Sequence, residues 1–357
     1  MLEAGSRKHL FILLHSCYLN IFNFTVIQLL IDTMPEYDSM KVLLIGSSGS
    51  LARMLISYLI EKNIDVTGID IRESTDIFPG EKFRFYKCCI TDKDNLKSVF
   101  EEVQPTNVLH FACSFNKVRD KQLEYEIDIN GSGNVLDICN STPSVRQLIF
   151  SSSAAAYGAK KNNSLWMKES EPLIPKKYRY GMNKKLVEHN YTNIPVREDL
   201  RIVVLRLCLV LGPTFDKPRS VVSLLIKLPA LPKFIREKKV QFIHSDDLVS
   251  LLELILEDKE INGIFNLAPD SYTIVKDIVP DKRFVGVPLL ILKGFLWICW
   301  HLRILNLQPA AVSNALYPTI LDSSKIISRY DYKFKYSSKE AFEDTVANNK
   351  IPADARF

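Results

Sequence analysis

From residue 40 the chain alternates short apolar runs with longer stretches in which apolar positions recur every three or four residues. A short run bounded by turn residues reads as a buried strand, and the longer period reads as a helix with one face on a core. Lys41–Ile45 is the first such strand and Leu51–Lys62 the first amphipathic helix. Strands over Asp65–Ile69 and Phe83–Tyr86 follow, then a helix over Asp94–Val103 and a strand over Asn107–Phe111. The pattern continues with one long helix over Leu123–Asn140, a strand over Gln147–Ser151, a helix over Tyr180–Asn190 and a strand over Ile202–Leu207. Alternation at this spacing predicts βαβ units and a parallel sheet, an α/β fold of the Rossmann, doubly wound type. After Gly212 the rhythm breaks, and Pro213, Pro218, Pro229, Pro232, Pro280 and Pro288 punctuate the remainder. The predicted organisation is a dinucleotide-binding Rossmann domain over 40–212 and a smaller substrate-binding domain over 213–345. Residues 240–270 return to the first sheet, and 346–357 form a tail.

Composition narrows the function classes. Of 357 residues, 47% are hydrophobic and 24% charged, which are ordinary globular values. The net charge of +5, from 46 basic and 41 acidic residues, is too weak for its length to argue for nucleic acid. The seven cysteines are odd in number and form no C-x-x-C pair. They argue against a disulfide framework and a zinc site, and so for no metal and a reducing, cytoplasmic setting. Residues 9–31 are apolar enough to raise a membrane question, but His9, His15, Asn20, Asn23 and Gln28 interrupt them. Since Met40 begins a clean strand, residues 1–39 read as an extension upstream of the true start, or as an extra helix or weak anchor.

Candidate chemistry begins at the turn Gly46-Ser-Ser-Gly49-Ser-Leu-Ala52, between the first strand and the first helix. It is a G-x-x-G-x-x-A form of the dinucleotide fingerprint. Gly46 permits the tight turn, Gly49 lets the backbone approach a pyrophosphate, and Ala52 keeps helix and strand close. Gly49, Ser50 and Leu51 lie where free helix N–H groups meet an anion. Asp70 ends the second strand, 24 residues after Gly46, followed by Ile71 and Arg72. A carboxylate there accepts from ribose hydroxyls and repels a 2′-phosphate, favouring NAD over NADP, although Arg72 is able to pair with such a phosphate.

Tyr180-Gly-Met-Asn-Lys184 places a phenol and an ammonium four residues apart, on one helix face. A phenol with an ordinary pKa near 10 is a poor base at neutral pH, and an adjacent cation is expected to lower it. Ser151-Ser152-Ser153 ends a strand at the carboxyl edge of the sheet, where such folds bind ligands. Ser153, Tyr180 and Lys184, with the nucleotide turn, make a coherent set for moving a hydride and a proton on an alcohol or ketone.

With these residues in place, the sequence resembles the extended short-chain dehydrogenase/reductase superfamily, in its NAD-dependent epimerase/dehydratase family. The likeness rests on Gly46–Ala52, Asp70, His110–Cys113, Asn130–Leu136, Ser151–Gly158, Tyr180 with Lys184, Leu205-Arg206 with Gly212-Pro213, Phe242–Asp247 and Leu321–Lys325. It implies that Phe111, Ala112 and Cys113 line the cofactor, that Ile90 packs on the adenine, and that Ser151 and Lys184 also face the cofactor. It implies that Ser153 and Tyr180 touch the reacting hydroxyl and that the His244–Asp247 stretch is structural. It also implies a homodimer through the Tyr180 helix and the 123–140 helix. Departures bear on the substrate. Ala154, Ala155 and Ala156 stand where dehydratases and decarboxylases carry an acid, and Cys89 where an acid often meets the adenine. Leu209 replaces an asparagine that sugar-nucleotide epimerases use on the diphosphate. The stretch Val287–Leu305 is strongly apolar. It reads as a helix packed on the small domain, or more sharply as an apolar pocket or membrane-surface helix.

The leading expectation is an NAD-dependent epimerase-like oxidoreductase working on a small-molecule sugar or nucleotide sugar, with Tyr180 as base. An apolar, hydroxysteroid-like alcohol or ketone is the alternative substrate. A catalytically inactive cofactor-binding regulator is the reading of another class.

Overall fold

The computed structural model describes residues 40–73, 82–114, 118, 120–176, 178–213, 225–302 and 316–348. The chain divides into Met1–Met40 and Lys41–Phe357, and the described elements belong to the second unit. The expectations for residues 1–39 and for the tail beyond 348 lie outside the described residues.

The first half runs β1 (Lys41–Ile45), α1 (Ser50–Glu61), β2 (Asp65–Asp70), β3 (Phe83–Lys87), α2 (Lys93–Val103), β4 (Asn107–His110), α3 (Lys121–Tyr125), α4 (Gly131–Ser141), β5 (Gln147–Ser153), α5 (Arg179–Asn193) and β6 (Arg201–Leu207). The second half holds β7 (Leu209–Leu211), β8 (Ala230–Pro232), β9 (Lys239–Val240), β10 (Phe242–His244), α6 (Ser245–Glu257), β11 (Gly263–Leu267), β12 (Thr273–Ile274), α7 (Val275–Ile278), β13 (Arg283–Val285), α8 (Leu289–His301), α9 (Ser324–Tyr330) and α10 (Ser338–Asn348). Seven strands form one parallel sheet in the order β11-β6-β5-β4-β1-β2-β3. The order reverses at β1, so the carboxyl ends of β1 and β4 open the crevice where such sheets take ligands. The strands are near-continuous apolar runs because helices cover both faces, and Leu43, Leu44, Val108, Leu109, Leu148 and Ile149 are fully buried.

Three two-stranded pairs, β10-β7, β12-β9 and β13-β8, make up the later part of the fold. Their apolar side chains form a second cluster around Leu231, Phe242, Val275 and Phe342. His244 caps α6, with Nδ1 accepting from the Asp246 N–H at 3.2 Å and Nε2 lying 3.1 Å from Asp344. Its ring stacks on Tyr336 at 3.8 Å, so this histidine ties α10 to the sheet edge, a structural part.

The long helix expected over Leu123–Asn140 is interrupted. Asp120 caps α3 through the N–H groups of Gln122 and Leu123, and a π-helical turn over Glu126–Asn130 separates α3 from α4. The pattern of apolar residues carries no mark for such a turn, because the period shifts for only one residue. Its effect is to turn Asp128 inward.

His110, at the end of β4, is fully buried. Its Nδ1–H donates to the Tyr191 hydroxyl at 2.7 Å, and that hydroxyl donates to the Ser132 carbonyl at 3.0 Å. Burial, then the Lys184 cation, lowers its pKa from 6.5 to about 3. An unfolded imidazole takes a proton near 6.5 but the folded one only near 3, so this contribution is complete above 6.5 and is lost as pH falls toward 3. Denaturant midpoints measured at roughly pH 7 and pH 4.5 should therefore show a loss of stability that His110→Asn makes much smaller; equal losses in both proteins would refute the assignment.

Candidate active site

The crevice is built from two groups of residues. At the first, Gly46 adopts φ +90°, and a Cβ there would lie 2.6 Å from the Ala112 backbone nitrogen. Only glycine fits that turn. Gly46 and Ser47 both donate N–H bonds to the Ile69 carbonyl, at 2.7 and 3.1 Å, which locks the turn to β2. Gly49 occupies the N-cap of α1 with no side-chain cap, and the first turn of α1 holds no acidic residue. The hydroxyls of Ser47 and Ser50 are buried without a hydrogen-bond partner among the described residues. Unspent donors, a bare helix N-terminus and close backbone approach suit a diphosphate. Ala52 is buried, and Leu51 is half-buried beside it.

Asp70 completes this group. Its carboxylate accepts the N–H of Ser48 at 3.0 Å and the N–H of Arg72 at 3.1 Å. Each oxygen keeps a lone pair for a ribose hydroxyl. The Arg72 guanidinium lies 4.0 Å from the same carboxylate, leaning toward it rather than away. Ile71 is exposed at the rim. These residues fit an adenine dinucleotide with a free 2′-hydroxyl.

The second group lies at the ends of β4 and β5 and on α5. Phe111 donates its N–H to Ile45 at 2.9 Å, extending β4 beside β1 and carrying Ala112 to the Gly46 turn. Ala112, Cys113, Asp128, Ser132, Phe150, Tyr180, Asn183, Lys184 and Val187 line a cavity of about 10 Å³, room for one water. Ser153 ends β5, takes the Ala155 N–H at 3.2 Å, and is hydrogen-bonded to Tyr180. Gly181 lets α5 approach this turn: a Cβ there would lie 2.4 Å from the Ala155 carbonyl oxygen. The structure thus brings Ser151, Ser153, Tyr180, Lys184, Ala112 and Cys113 together, and Ala112 joins them to the Gly46 turn. Ile90 is buried in the main core, where a Gly131 Cβ would meet its Cγ1 at 2.6 Å. Cys89 is spent on a 3.0 Å contact with Thr91.

One electrostatic expectation is overturned. The motif spacing has Lys184 lowering the Tyr180 pKa, yet that pKa is raised well above 10. Burial is the first cause, then Cys113; the Ser153 hydrogen bond opposes them, and Tyr178 and Asp128 add to the raise. The Lys184 ammonium is engaged elsewhere. It donates to the Ser151 carbonyl at 2.6 Å, sits 4.5 Å over the Phe150 ring, and lies 5.8 Å from the Tyr180 ring centroid. As the structure stands, Tyr180 holds its proton.

Two residues escape the motif reading. Asp128 is buried and accepts from the Ser114 N–H at 2.7 Å, the Ser114 hydroxyl at 2.9 Å and the Asn183 amide at 2.9 Å. It joins the end of β4 to α5. A lone acid between isoleucines, three residues before the Gly131-Ser-Gly133 run, is the available signal for it. Asn183, beside Lys184, lies inside the Y-x-x-x-K motif at a position the motif leaves unassigned. Read by phenolate absorbance against a Tyr180→Phe control, Tyr180 in cofactor-free protein should stay protonated beyond pH 10, and Asp128→Asn should bring its ionisation down. Ionisation below pH 10 in the unaltered protein would contradict this geometry.

Comparison with known proteins places the chain in a family. The NAD dependent epimerase/dehydratase family profile matches residues 42–268. The UDP-glucose 4-epimerase of Mycoplasma genitalium is 24% identical over 219 residues, 58% of this chain and 63% of that one. The chain spans between 58% and 63% of the length of the first curated relatives it matches. Among solved structures, the UDP-glucose 4-epimerase of Thermotoga maritima with UDP-glucose superposes with a TM-score of 0.69 at 24% identity, covering 87% of this chain and 98% of that one. The enzyme WbmG of Bordetella bronchiseptica in complex with NAD gives the same TM-score at 20% identity, over 88% and 95% of the two chains. At these identities the superpositions speak to the fold, whereas the profile covers well over half of the sequence. The chain belongs to the NAD-dependent epimerase/dehydratase family.

Proposed function

We propose that the protein is an NAD-dependent, epimerase-like oxidoreductase that acts on a secondary alcohol of a sugar or nucleotide sugar through its keto form. The observation that carries this reading is a cavity lined by Tyr180 and Lys184, with Ser153 hydrogen-bonded to Tyr180 and Ala112 leading from the cavity to the Gly46 turn. The UDP-glucose and NAD found with the two solved relatives support the substrate class and the cofactor. NAD, when bound, supplies the two-electron acceptor.

The chain's own residues hold and orient the reactants. Gly46, Gly49, Ser50 and Leu51 take the diphosphate at the start of α1, and Asp70, flanked by Ile71 and Arg72, takes the ribose hydroxyls. Ile90, Phe111, Ala112 and Cys113 wall the cofactor. The Ser151 carbonyl fixes Lys184 beneath the site. Ser153 donates to the reacting oxygen, and Tyr180 accepts the hydroxyl proton as that oxygen becomes a carbonyl. Burial holds Tyr180 protonated at rest, so it accepts the substrate proton only after its own has passed to solvent, a loss that the fixed Lys184 ammonium, 5.8 Å from its ring centroid, favours. The β8–β13 lobe we assign to the substrate. Exposed Leu123, Tyr125, Met182 and Leu186 on α3 and α5 give those helices the apolar surface of a homodimer contact.

A second reading keeps the chemistry and replaces the sugar with an apolar alcohol or ketone. Leu209, 47% exposed at the start of β7, favours it, since it offers no hydrogen bond to a sugar diphosphate.

Protein purified without added nucleotide, then denatured and chromatographed, decides between them. The first reading expects retained NAD and interconversion of a nucleotide sugar without net NADH. An exchangeable site with net NADH from apolar alcohols would select the second. Under either, Tyr180→Phe should lower turnover by about 10²–10⁴-fold with the dinucleotide content unchanged, and undiminished turnover in that variant would overturn both.

A further inference from the structure

Helix α8 has the composition of a core element and the exposure of a surface one. Its 13 residues, LLILKGFLWICWH, bury only Leu296 and Cys299. Leu290 is 83% exposed, and Ile291, Phe295, Trp297 and Ile298 are exposed by half or more, as is Leu302 just past the end. Helical spacing sorts these into two adjoining rows. Ile291, Phe295, Ile298 and Leu302 form one; Leu290, Lys293, Trp297 and His301 form the other. The Trp297 and His301 rings lie 4.1 Å apart on that second row. The face is therefore apolar with two basic groups along one margin. The simpler sequence reading, an apolar stripe packed on the small lobe, holds only for the opposite, narrower side.

The segments that lead into α8 are positively charged. Segments 230–240 and 273–285 hold seven lysines and arginines against three carboxylates. Lys233, Arg236, Lys276 and Lys282 line a cavity of about 460 Å³ with one carboxylate, Asp277, in its wall. Glu237 pairs with Arg236 at 3.3 Å and Lys276 at 2.8 Å, and a positive surplus remains. From Val285, the end of β13, to Leu289, the start of α8, is a four-residue step, which reaches at most about 14 Å. A short linker therefore holds the apolar helix close to the basic cluster.

Two copies meeting through α8 would bring Lys293 and the nearby basic segments of each toward those of the other, which opposes association. An anionic bilayer accepts both features. Apolar side chains sink about 5–10 Å into the headgroup boundary, tryptophan sits at headgroup level, and lysine reaches out to phosphates. At about 1.5 Å per residue, α8 is roughly 20 Å long against a hydrocarbon core of about 30 Å, so it lies in the plane. Among the described residues no helix is long and apolar enough to cross a membrane. We propose that α8 docks the protein on an anionic lipid surface, with the basic cluster of the β8–β13 lobe meeting the headgroups.

The test is sedimentation of the full chain with vesicles of phosphatidylcholine alone and with about a third phosphatidylglycerol added. Binding should require the anionic lipid and weaken with salt, and brominated lipid should quench a fluorescence component that Trp297→Phe removes. A Phe295→Glu/Trp297→Glu variant, altered only at exposed positions, should keep its circular dichroism and bound dinucleotide yet lose binding by about tenfold or more. Failure of the unaltered chain to bind anionic vesicles would overturn the proposal. So would equal binding by chain and variant, or a vesicle-inert dimer that the same variant dissociates, which would make a second copy the occupant.

Discussion

Glu188 and Arg206 form a buried ion pair through two hydrogen bonds of 2.9 and 2.8 Å, and the placement of the site depends on it. Glu188 lies one turn beyond Lys184 on α5; Arg206 is the penultimate residue of β6. Glu188 also accepts the Ser152 hydroxyl from β5. Arg206 donates to the Tyr157 hydroxyl at 2.7 Å and the Glu169 carbonyl at 3.0 Å, and Tyr157 donates to Asn266 of β11 at 2.8 Å. One pair of charges therefore ties α5 to three strands. Two charges removed from water tolerate little displacement, since losing either partner costs about 3–5 kcal/mol. That intolerance fixes the register of α5 against the sheet, and with it Tyr180 and Lys184.

The same logic explains the electrostatics beside the cavity. Lys184 is buried, so its ammonium must be satisfied locally, and the Ser151 carbonyl and Phe150 ring do so. His110 below it stays neutral because burial, and then the Lys184 charge, disfavours the imidazolium. Tyr180 keeps its proton for a related reason: a phenolate among Cys113, Asp128 and low-dielectric walls is costly until positive charge arrives. The resting site is thus neutral at the phenol, with Lys184 as the buried cation beside it.

Much of this is legible in the sequence because it depends on local pattern. The β1–turn–α1 unit, Asp70, and the Y-x-x-x-K helix each follow from a few neighbouring residues whose chemistry has one good use. Gly46 has to be a glycine, and Ala52 has to be small. The π-helical turn and Asp128 are not legible, since a one-residue change of helical period leaves no apolar signature. Nor is the direction of the Tyr180 shift. Spacing puts Lys184 on the same face, but only three-dimensional packing reveals that the ammonium is turned to the Ser151 carbonyl. The exposure of α8 is hidden for the opposite reason: an apolar helix reads alike whether it is covered or bare.

The central claim is that the Glu188–Arg206 pair positions α5, with Tyr180 and Lys184 on it, rather than merely stabilising it. The most direct measurement replaces both charges with apolar groups of similar size, Glu188→Leu with Arg206→Met, a change that often leaves stability intact. Turnover and bound dinucleotide are then measured on the folded double variant. The account predicts an unchanged dinucleotide content, because the Gly46 turn is untouched, with turnover lowered by about 100-fold from misplacement of Tyr180 and Lys184. A folded double variant with undiminished turnover would contradict it.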